Sequence, residues 1–142
     1  MAKIKAVEAQ EILNAKGLPT IEATVILSDG KIGVASCPSG EKIERNEAFS
    51  LKSDNGNNFE YQEASKAVGN IKNIIAPQLI GKASEHQPEI DKIMIDFDGT
   101  QDKSRLGSNA ILAVSMAVAK ASAESSFLPL FTTTLPLSRP FL

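Results

Sequence analysis

The spacing of apolar and polar residues changes along the chain from a period of two to a period near 3.6. Before residue 38 the two kinds of residue alternate, which is typical of β-strands with one buried face. This alternation predicts three strands, over residues 3–14, 20–28 and 31–37. In the first strand it places Ile4 and Ala6 on one face, and Lys5 and Val7 on the other.

Turn-forming residues separate the three predicted strands. Gly17 and Pro19 mark the first turn, and Asp29-Gly30 is a strong signal for a two-residue β-hairpin loop. Short loops of this kind join strands that run antiparallel to each other. The chain is therefore predicted to begin with a three-stranded antiparallel meander.

From residue 61 onward the apolar spacing is that of amphipathic helices. One helix is predicted over residues 61–75, ending before Pro77 because proline disfavours a helical conformation in the residue before it. A second helix is predicted over about residues 85–97. An alanine-rich third helix, over about residues 104–125, is apolar around most of its circumference, so we expect it to be the most buried. The apolar stripes of the first two consist of Ala64, Ala67, Val68, Ile71, Ile74 and Ile75, and of Ile90, Ile93, Met94 and Phe97.

Two segments follow neither period. Residues 38–60 are polar and rich in Asn, Ser and Gly, which predicts a loop with one helical turn around residues 46–51. Residues 127–142 contain three prolines and three consecutive threonines, and their pattern predicts no regular structure.

Composition narrows the class of protein. A chain of 142 residues is the size of one compact domain. Its net charge of −2 gives no electrostatic basis for binding nucleic acid or an anionic membrane, so neither is an expected partner. The one cysteine, Cys37, allows no intramolecular disulfide, and no apolar run approaches the length of a membrane span. Because the N-terminus has no signal-peptide pattern, we expect a cytoplasmic protein.

The segment IMIDFDGTQDKS at residues 93–104 raises the question of catalysis. Haloacid dehalogenase-type phosphotransferases present a nucleophilic carboxylate on an apolar strand followed by Asp-x-Asp-Gly-Thr, which would make Asp96 the nucleophile and Asp98 the acid/base. The preceding apolar spacing is helical, however, and Glu89 and Lys92 stand where a buried strand carries valine or isoleucine. An EF-hand calcium loop is excluded because Gly99 comes too early and the closing glutamate is missing.

A structural interpretation of the same segment is favoured. Asp98 and Gly99 are predicted to close the second helix, and residues 100–104 to lead into the third.

Several segments together resemble the N-terminal domain of enolase (phosphopyruvate hydratase), and bacterial enolases most. The matching pieces are EILNAKGLPTIEA at 11–23, PSG at 38–40, SKAVGNI at 65–71, LIGK at 79–82, IDKIMIDFDGTQDKSRLGSNAILAVSMAVAKA at 90–121 and PLF at 129–131. The resemblance implies an α+β fold in which the three-stranded meander is followed by a helical layer, without a TIM barrel. It assigns residues 1–131 to the enolase N-terminal-like domain and residues 132–142 to a divergent tail.

The resemblance also implies a chemistry whose main residues lie outside this sequence. Enolases convert 2-phosphoglycerate to phosphoenolpyruvate in glycolysis with two Mg²⁺ ions. The family places the metal carboxylates, the lysine base and the glutamate acid in a C-terminal barrel. We therefore expect no catalytic, cofactor-binding or metal-binding residue here and no bound cofactor, so the chain alone is not expected to be an enzyme.

One catalytic element of the family, a mobile loop, does align with this sequence. The family pattern Pro-Ser-Gly-Ala-Ser-Thr-Gly corresponds here to Pro38, Ser39, Gly40, Glu41, Lys42, Ile43 and Glu44. Lys42 stands at the position of the family's metal-binding serine, and an ammonium group has no lone pair for a metal ion. Glu44 replaces a glycine that gives the loop freedom to move. The loop is therefore predicted to be degenerate.

In the family, the first hairpin of this domain contacts the barrel, including the barrel of a partner subunit. Here Gln10 and Asn14 lack charges found in the family pattern, whereas Glu22 is kept. Without a barrel we expect exposed apolar surface, with a candidate interface formed by Leu18, Ile21, Glu22, Val25 and Leu27. A homodimer, or association with a full-length enolase, would cover that surface.

The tail offers an alternative cover for the same surface. It carries apolar residues that could fold back within one chain, namely Leu135, Leu137, Phe141 and Leu142. Pro136 and Pro140 are poorly suited to a hydrogen-bonded strand, which favours the dimer.

Overall fold

A computed structural model of the protein describes residues 1–37 and 59–133, with side chains for residues 1–37 and 64–132. The predicted helical turn at 46–51, the loop at 38–44 and the chain beyond residue 133 lie outside the described residues. The elements, in chain order, are β1 Ile4–Leu13, β2 Pro19–Leu27, β3 Ile32–Cys37, α1 Phe59–Asn70, a π-helical turn Ile71–Ile75, α2 Ala76–Leu79, α3 Gln87–Asp98, α4 Ser108–Ser125 and α5 Leu130–Thr133.

The predicted meander and its α+β class are confirmed. The strands form one antiparallel sheet in the order β1-β2-β3. One face of the sheet lies against the helices, with α4 packed across β2 and β3 and α1 against β1 and β2. Every second residue of β2 is buried on that face, namely Ile21, Ala23, Val25 and Leu27.

The predicted alternation is wrong at the start of β1. Ile4 pairs with Leu27 while Ala6 pairs with Ile26, so Lys5 is an extra residue in the strand, a β-bulge. The bulge shifts Ile4 onto the same face as Val7, and both are buried in the core. The polar Lys5 is left exposed.

The loop of the second hairpin is one residue longer than the predicted two-residue form. In the second hairpin the N–H of Leu27 bonds the carbonyl of Lys31 at 2.9 Å, and the N–H of Gly30 bonds the carbonyl of Leu27 at 3.0 Å. The loop therefore has three residues, and Gly30, with φ +86°, takes the left-handed conformation that such loops require at their last position. The first hairpin repeats this arrangement, with Gly17 at φ +75°.

The prediction that the first helix stops before Pro77 is also wrong. The chain remains helical to Leu79, through a π-turn in which the N–H of Ala76 bonds the carbonyl of Ile71. A π-turn widens the helix just before Pro77, which relieves the contact of the proline ring with the preceding turn. Pro77 then lies in the first turn of α2, where its missing N–H leaves no gap in the bonding.

Helix α4 is the most buried helix, as predicted. Its buried side chains are Ala110, Ala113, Val114, Ala117, Val118, Ala121, Ser122 and Ala123. It approaches β3 so closely that a Cβ on Gly33 would lie 2.1 Å from the carbonyl oxygen of Ala117 and 2.4 Å from the nitrogen of Ala121. Small residues on both elements allow this approach of helix to sheet.

Candidate functional site

The carboxylate of Asp98 lies at the junction of α3 and α4 and is 1% exposed. It accepts hydrogen bonds from the N–H of Leu106 at 2.7 Å, from the N–H of Thr100 at 2.9 Å, and from the Thr100 hydroxyl. Gly99 follows with φ +68° and donates its N–H to the carbonyl of Ile95 at 3.0 Å. This confirms the interpretation of Asp98-Gly99 as a helix end.

The environment of Asp98 keeps its carboxyl group ionised. Burial raises the pKa, but the hydrogen bonds from Leu106 and Thr100 outweigh burial and lower it below the ordinary value of 3.8. At neutral pH the group is therefore an acceptor with no proton to donate.

Asp96 and Asp98, the two carboxylates of the phosphotransferase alternative, lie in different surroundings. Asp96 is exposed and forms an ion pair with Lys92, one helical turn earlier, at 2.6 Å. Asp98 is buried beneath the loop that follows it. Phe97 between them is 40% exposed, so the predicted apolar stripe of α3 ends at Met94. The pattern at 93–104 therefore builds a helix junction and no pair of facing carboxylates.

The loop between Asp98 and α4 is held by its own polar groups. Lys103 has φ +64°, and its ammonium donates to the carbonyls of Thr100 at 3.1 Å and Gln101 at 3.3 Å. The N–H of Ser104 donates to the Thr100 hydroxyl at 2.9 Å. These hydrogen bonds direct the chain into α4. They also occupy polar side chains that the sequence suggested as candidates for catalysis.

No group of three or more His, Cys, Asp or Glu side chains able to hold a metal ion occurs within residues 1–37 and 64–132. The loop with Lys42 lies outside the described residues, so its degeneracy remains a prediction.

The predicted interface needs correction. The side chains of Ile21, Val25 and Leu27 are fully buried, because their face of β2 lies under the helices of this same chain. They form the core of the domain and expose no surface. Leu18, 39% exposed in the first hairpin, and Glu22, which accepts a hydrogen bond from Gln10 at 2.8 Å, are the members of that set outside the core.

The exposed apolar residues include two groups, one around the predicted Leu18 and one that the sequence pattern did not single out. Leu13, 62% exposed, joins Leu18 at the β1–β2 hairpin. Ile32 and Val34 of β3 lie beside Leu128 and Leu130 in a groove along the outer edge of the sheet. The alternation in β3 predicted two faces, but nothing in the sequence showed which face the helices would cover.

A three-stranded antiparallel sheet covered on one face by helices defines an α+β domain. Comparison with known proteins identifies the family of this domain. The family model of the enolase N-terminal domain matches residues 4–134. The chain is 48% identical over 131 residues to the enolase of Anaplasma phagocytophilum, covering 92% of this chain and 30% of that enolase. It is 50% identical over 128 residues to the enolase of Desulfotalea psychrophila, covering 90% of this chain and 30% of that enolase.

The chain therefore belongs to the enolase family, as a homologue of the N-terminal domain. It spans about 30% of the length of the curated relatives that it matches. Within the described parts of the chain, no helix combines the length and the apolar character needed to cross a membrane.

Proposed function

We propose that this domain is non-catalytic by itself and acts by association, with a second copy or with a full-length enolase. The observation that carries the proposal is the position of Asp98. It is the only Asp, Glu, Lys, Arg or His side chain buried within residues 1–37 and 64–132, and its oxygens accept backbone and hydroxyl hydrogen bonds. A general acid or base must reach a proton on the substrate, and Asp98 is closed off from any substrate.

The hairpin between β1 and β2 supports the association. Leu13 and Leu18 lie at the two sides of its loop and keep 62% and 39% of their side-chain surface exposed. Asn14 bridges the loop, because its side-chain oxygen accepts the N–H of Lys16 at 2.9 Å and the N–H of Leu18 at 3.0 Å. Exposed apolar side chains on a loop held by its own hydrogen bonds suit a protein partner, because such bonds reduce the entropy lost on binding.

Sedimentation of the purified chain, alone and with a full-length bacterial enolase, tests this proposal. We expect a dimer or a mixed complex, which the double variant Leu13→Asp, Leu18→Asp weakens at least about tenfold because it brings charge into an apolar contact. Leu112→Asp is the matched control, since Leu112 is 46% exposed on α4, away from the hairpin. A chain that stays monomeric at all concentrations, with and without enolase, would contradict the proposal.

A second candidate function follows from the identity of about half of the aligned residues to enolases. The domain would then take part in converting 2-phosphoglycerate to phosphoenolpyruvate once a barrel completes it, with Mg²⁺ held by the barrel. Mixing the chain with a separately purified enolase barrel tests this alternative. Turnover by the mixture, with neither part active alone, would support it and would overturn a purely non-catalytic role.

A further inference from the structure

The outer edge of β3 is not paired with any strand among the described residues. The closing bond of the second hairpin, from the N–H of Leu27 to the carbonyl of Lys31, sets the hydrogen-bonding pattern of the ladder. With this pattern the odd-numbered residues of β3 direct their N–H and carbonyl groups toward β2. Ile32 and Val34 therefore direct theirs outward, in position to bond a further strand.

The side chains of Ile32 and Val34 lie on the face of the sheet that the helices leave open. They alternate with the odd-numbered residues of β3, which are buried under the helices. Ile32 is 51% exposed and Val34 is 42% exposed, and the half-buried Ile26 of β2 pairs with Ile32 on the same face. An apolar strip on the open face thus ends at an unpaired strand edge.

Helix α4 runs antiparallel to β3 and brings a positive charge to this edge. The ammonium of Lys120 donates to the outward carbonyl of Val34 at 3.1 Å. Further along α4, the hydroxyl of Ser125 donates to the carboxylate of Asp29, in the hairpin before β3, at 2.6 Å. The contact of α4 with the sheet therefore moves toward the beginning of β3 as the helix proceeds.

Glu124 brings a negative charge to the same edge. It follows Lys120 by one helical turn, which advances about 5.4 Å, close to the about 6.6 Å that two residues of a strand span. Because the two elements run antiparallel, Glu124 lies level with Ile32 where Lys120 lies level with Val34. All four residues line a groove of about 400 Å³ beside the edge. The edge therefore has a positive charge at Val34 and a negative charge at Ile32.

We propose that the outer edge of β3 pairs antiparallel with the same edge of a second copy of this chain, about a twofold axis at Gly33. Ile32 and Val34 of each copy exchange backbone hydrogen bonds with Val34 and Ile32 of the other copy. On the open face, their side chains form one apolar strip that crosses both copies. On the helical side, each Lys120 faces Glu124 of the other copy.

The order of the two charges selects this register. A twofold axis at Val34 places the two Lys120 ammonium groups opposite each other, and an axis at Ile32 does the same with the two Glu124 carboxylates. Like charges in those positions repel, whereas the axis at Gly33 brings opposite charges together twice. Lys120 keeps its bond to Val34 in this arrangement, because an ammonium has three donors and a carbonyl oxygen has two lone pairs.

This pairing goes beyond the association proposed at the β1–β2 hairpin and does not depend on it. Ile32 pairs with Ile26, near the end of β2, whereas that hairpin leads into the beginning of β2 at Pro19. The two surfaces are therefore separate. A second copy at the β3 edge leaves the hairpin accessible to a full-length enolase.

Amide hydrogen exchange of the full chain, measured over a range of protein concentrations, tests the pairing. We expect the Val34 amide to exchange at least about tenfold more slowly at high concentration than at low concentration, because its N–H bonds the second copy. The Gly33 and Ala35 amides, bonded to β2, should stay protected throughout and show that the domain remains folded. Protection of Val34 that does not change with concentration would overturn the proposal, because this chain itself would then cover the edge. An unprotected Val34 amide at every concentration would also overturn it.

Exchanging the two charges tests the register by sedimentation. Lys120→Glu and Glu124→Lys should each weaken self-association about tenfold, because each puts like charges opposite each other twice about the axis. The double variant Lys120→Glu, Glu124→Lys restores opposite charges and should recover the association. Single variants without effect, or a double variant no better than either single variant, would overturn the assigned register.

A proline substitution separates the edge from the hairpin. Val34→Pro removes an outward N–H and leaves the bonds of Gly33 and Ala35 to β2 intact, so we expect it to abolish edge pairing in a folded domain. Leu13→Asp, Leu18→Asp should leave the concentration-dependent protection of Val34 unchanged. Self-association that survives Val34→Pro and disappears in the hairpin variant would overturn the edge assignment and support the hairpin contact.

Discussion

The carboxylate of Asp98 accepts the backbone N–H of Leu106, eight residues further along the chain, at 2.7 Å. This bond joins the end of α3 to the turn before α4. Asp98, a candidate catalytic group in the sequence, is thus a structural hydrogen-bond acceptor. We expect its replacement to change the stability of the domain.

Replacing Asp98 by alanine should destabilise the domain by roughly 2–4 kcal/mol, because the buried N–H of Leu106 and the N–H of Thr100 lose their acceptor. Urea unfolding followed by circular dichroism measures the change. Asp96→Asn is the control, since that exposed ion pair with Lys92 contributes less than about 1 kcal/mol. Equal losses in the two variants would contradict the role assigned to Asp98.

The lowered pKa of Asp98 predicts a loss of stability in acid. Burial raises the pKa, and the bonds from Leu106 and Thr100 lower it by more, so the folded-state value lies below 3.8. A group whose pKa falls on folding stabilises the fold above its unfolded-state pKa, and that stabilisation is lost as pH falls through the folded-state value. The free energy of unfolding should therefore decrease below about pH 4. Asp98→Asn should make this decrease smaller. An unchanged pH profile in that variant would contradict the assignment of the decrease to Asp98.

Gly33→Ala should destabilise by about 3 kcal/mol or more, since the new methyl group overlaps backbone atoms of Ala117 and Ala121 that cannot move independently of α4. Gly69→Ala is the matched control, because Gly69 lies in α1 with its nearest neighbouring atom 4.0 Å from the added carbon. We expect that change to stabilise the domain by about 0.5–1 kcal/mol. Thermal and urea unfolding of the two variants compare them directly.

Phe127→Gly should be more stable than Phe127→Ala by about 1 kcal/mol. Phe127 lies two residues after α4 and has φ +55°, a left-handed conformation that glycine adopts more readily than alanine. Both substitutions remove the phenyl ring over which the Lys31 ammonium lies at 5.0 Å, so their difference isolates the backbone effect. Equal stability of the two variants would show that position 127 relaxes to another conformation.

Titration calorimetry with Mg²⁺ should detect no saturable site at sub-millimolar concentration, because the lysine at position 42 supplies no lone pair to a metal ion. Lys42→Ser alone should not create a site, since the family's other metal ligands lie in the barrel. Saturable binding by the unmodified chain would reveal a carboxylate site that the alignment to the family does not anticipate.

Local sequence patterns determined a large part of this fold. The alternation before residue 38 determined the meander, because side chains on a strand alternate between two faces wherever it lies. The helical stripes and the Asp98-Gly99 helix end also follow from neighbouring residues, since a left-handed glycine after a helix ends it locally. The match of residues 4–134 to the enolase N-terminal domain is likewise a property of the sequence.

The tertiary structure decided which faces are covered and where the regular patterns break. The bulge at Lys5 depends on the register with β2, and helical continuation through Pro77 depends on a π-turn within the packed layer. The burial of Ile21 depends on helices distant in the sequence, so the pattern of β2 alone could not separate core from interface. The periodicity of the sequence shows which side chains share a face, whereas long-range packing selects the face that is buried. Among the described residues, that packing leaves the outer edge of β3 uncovered.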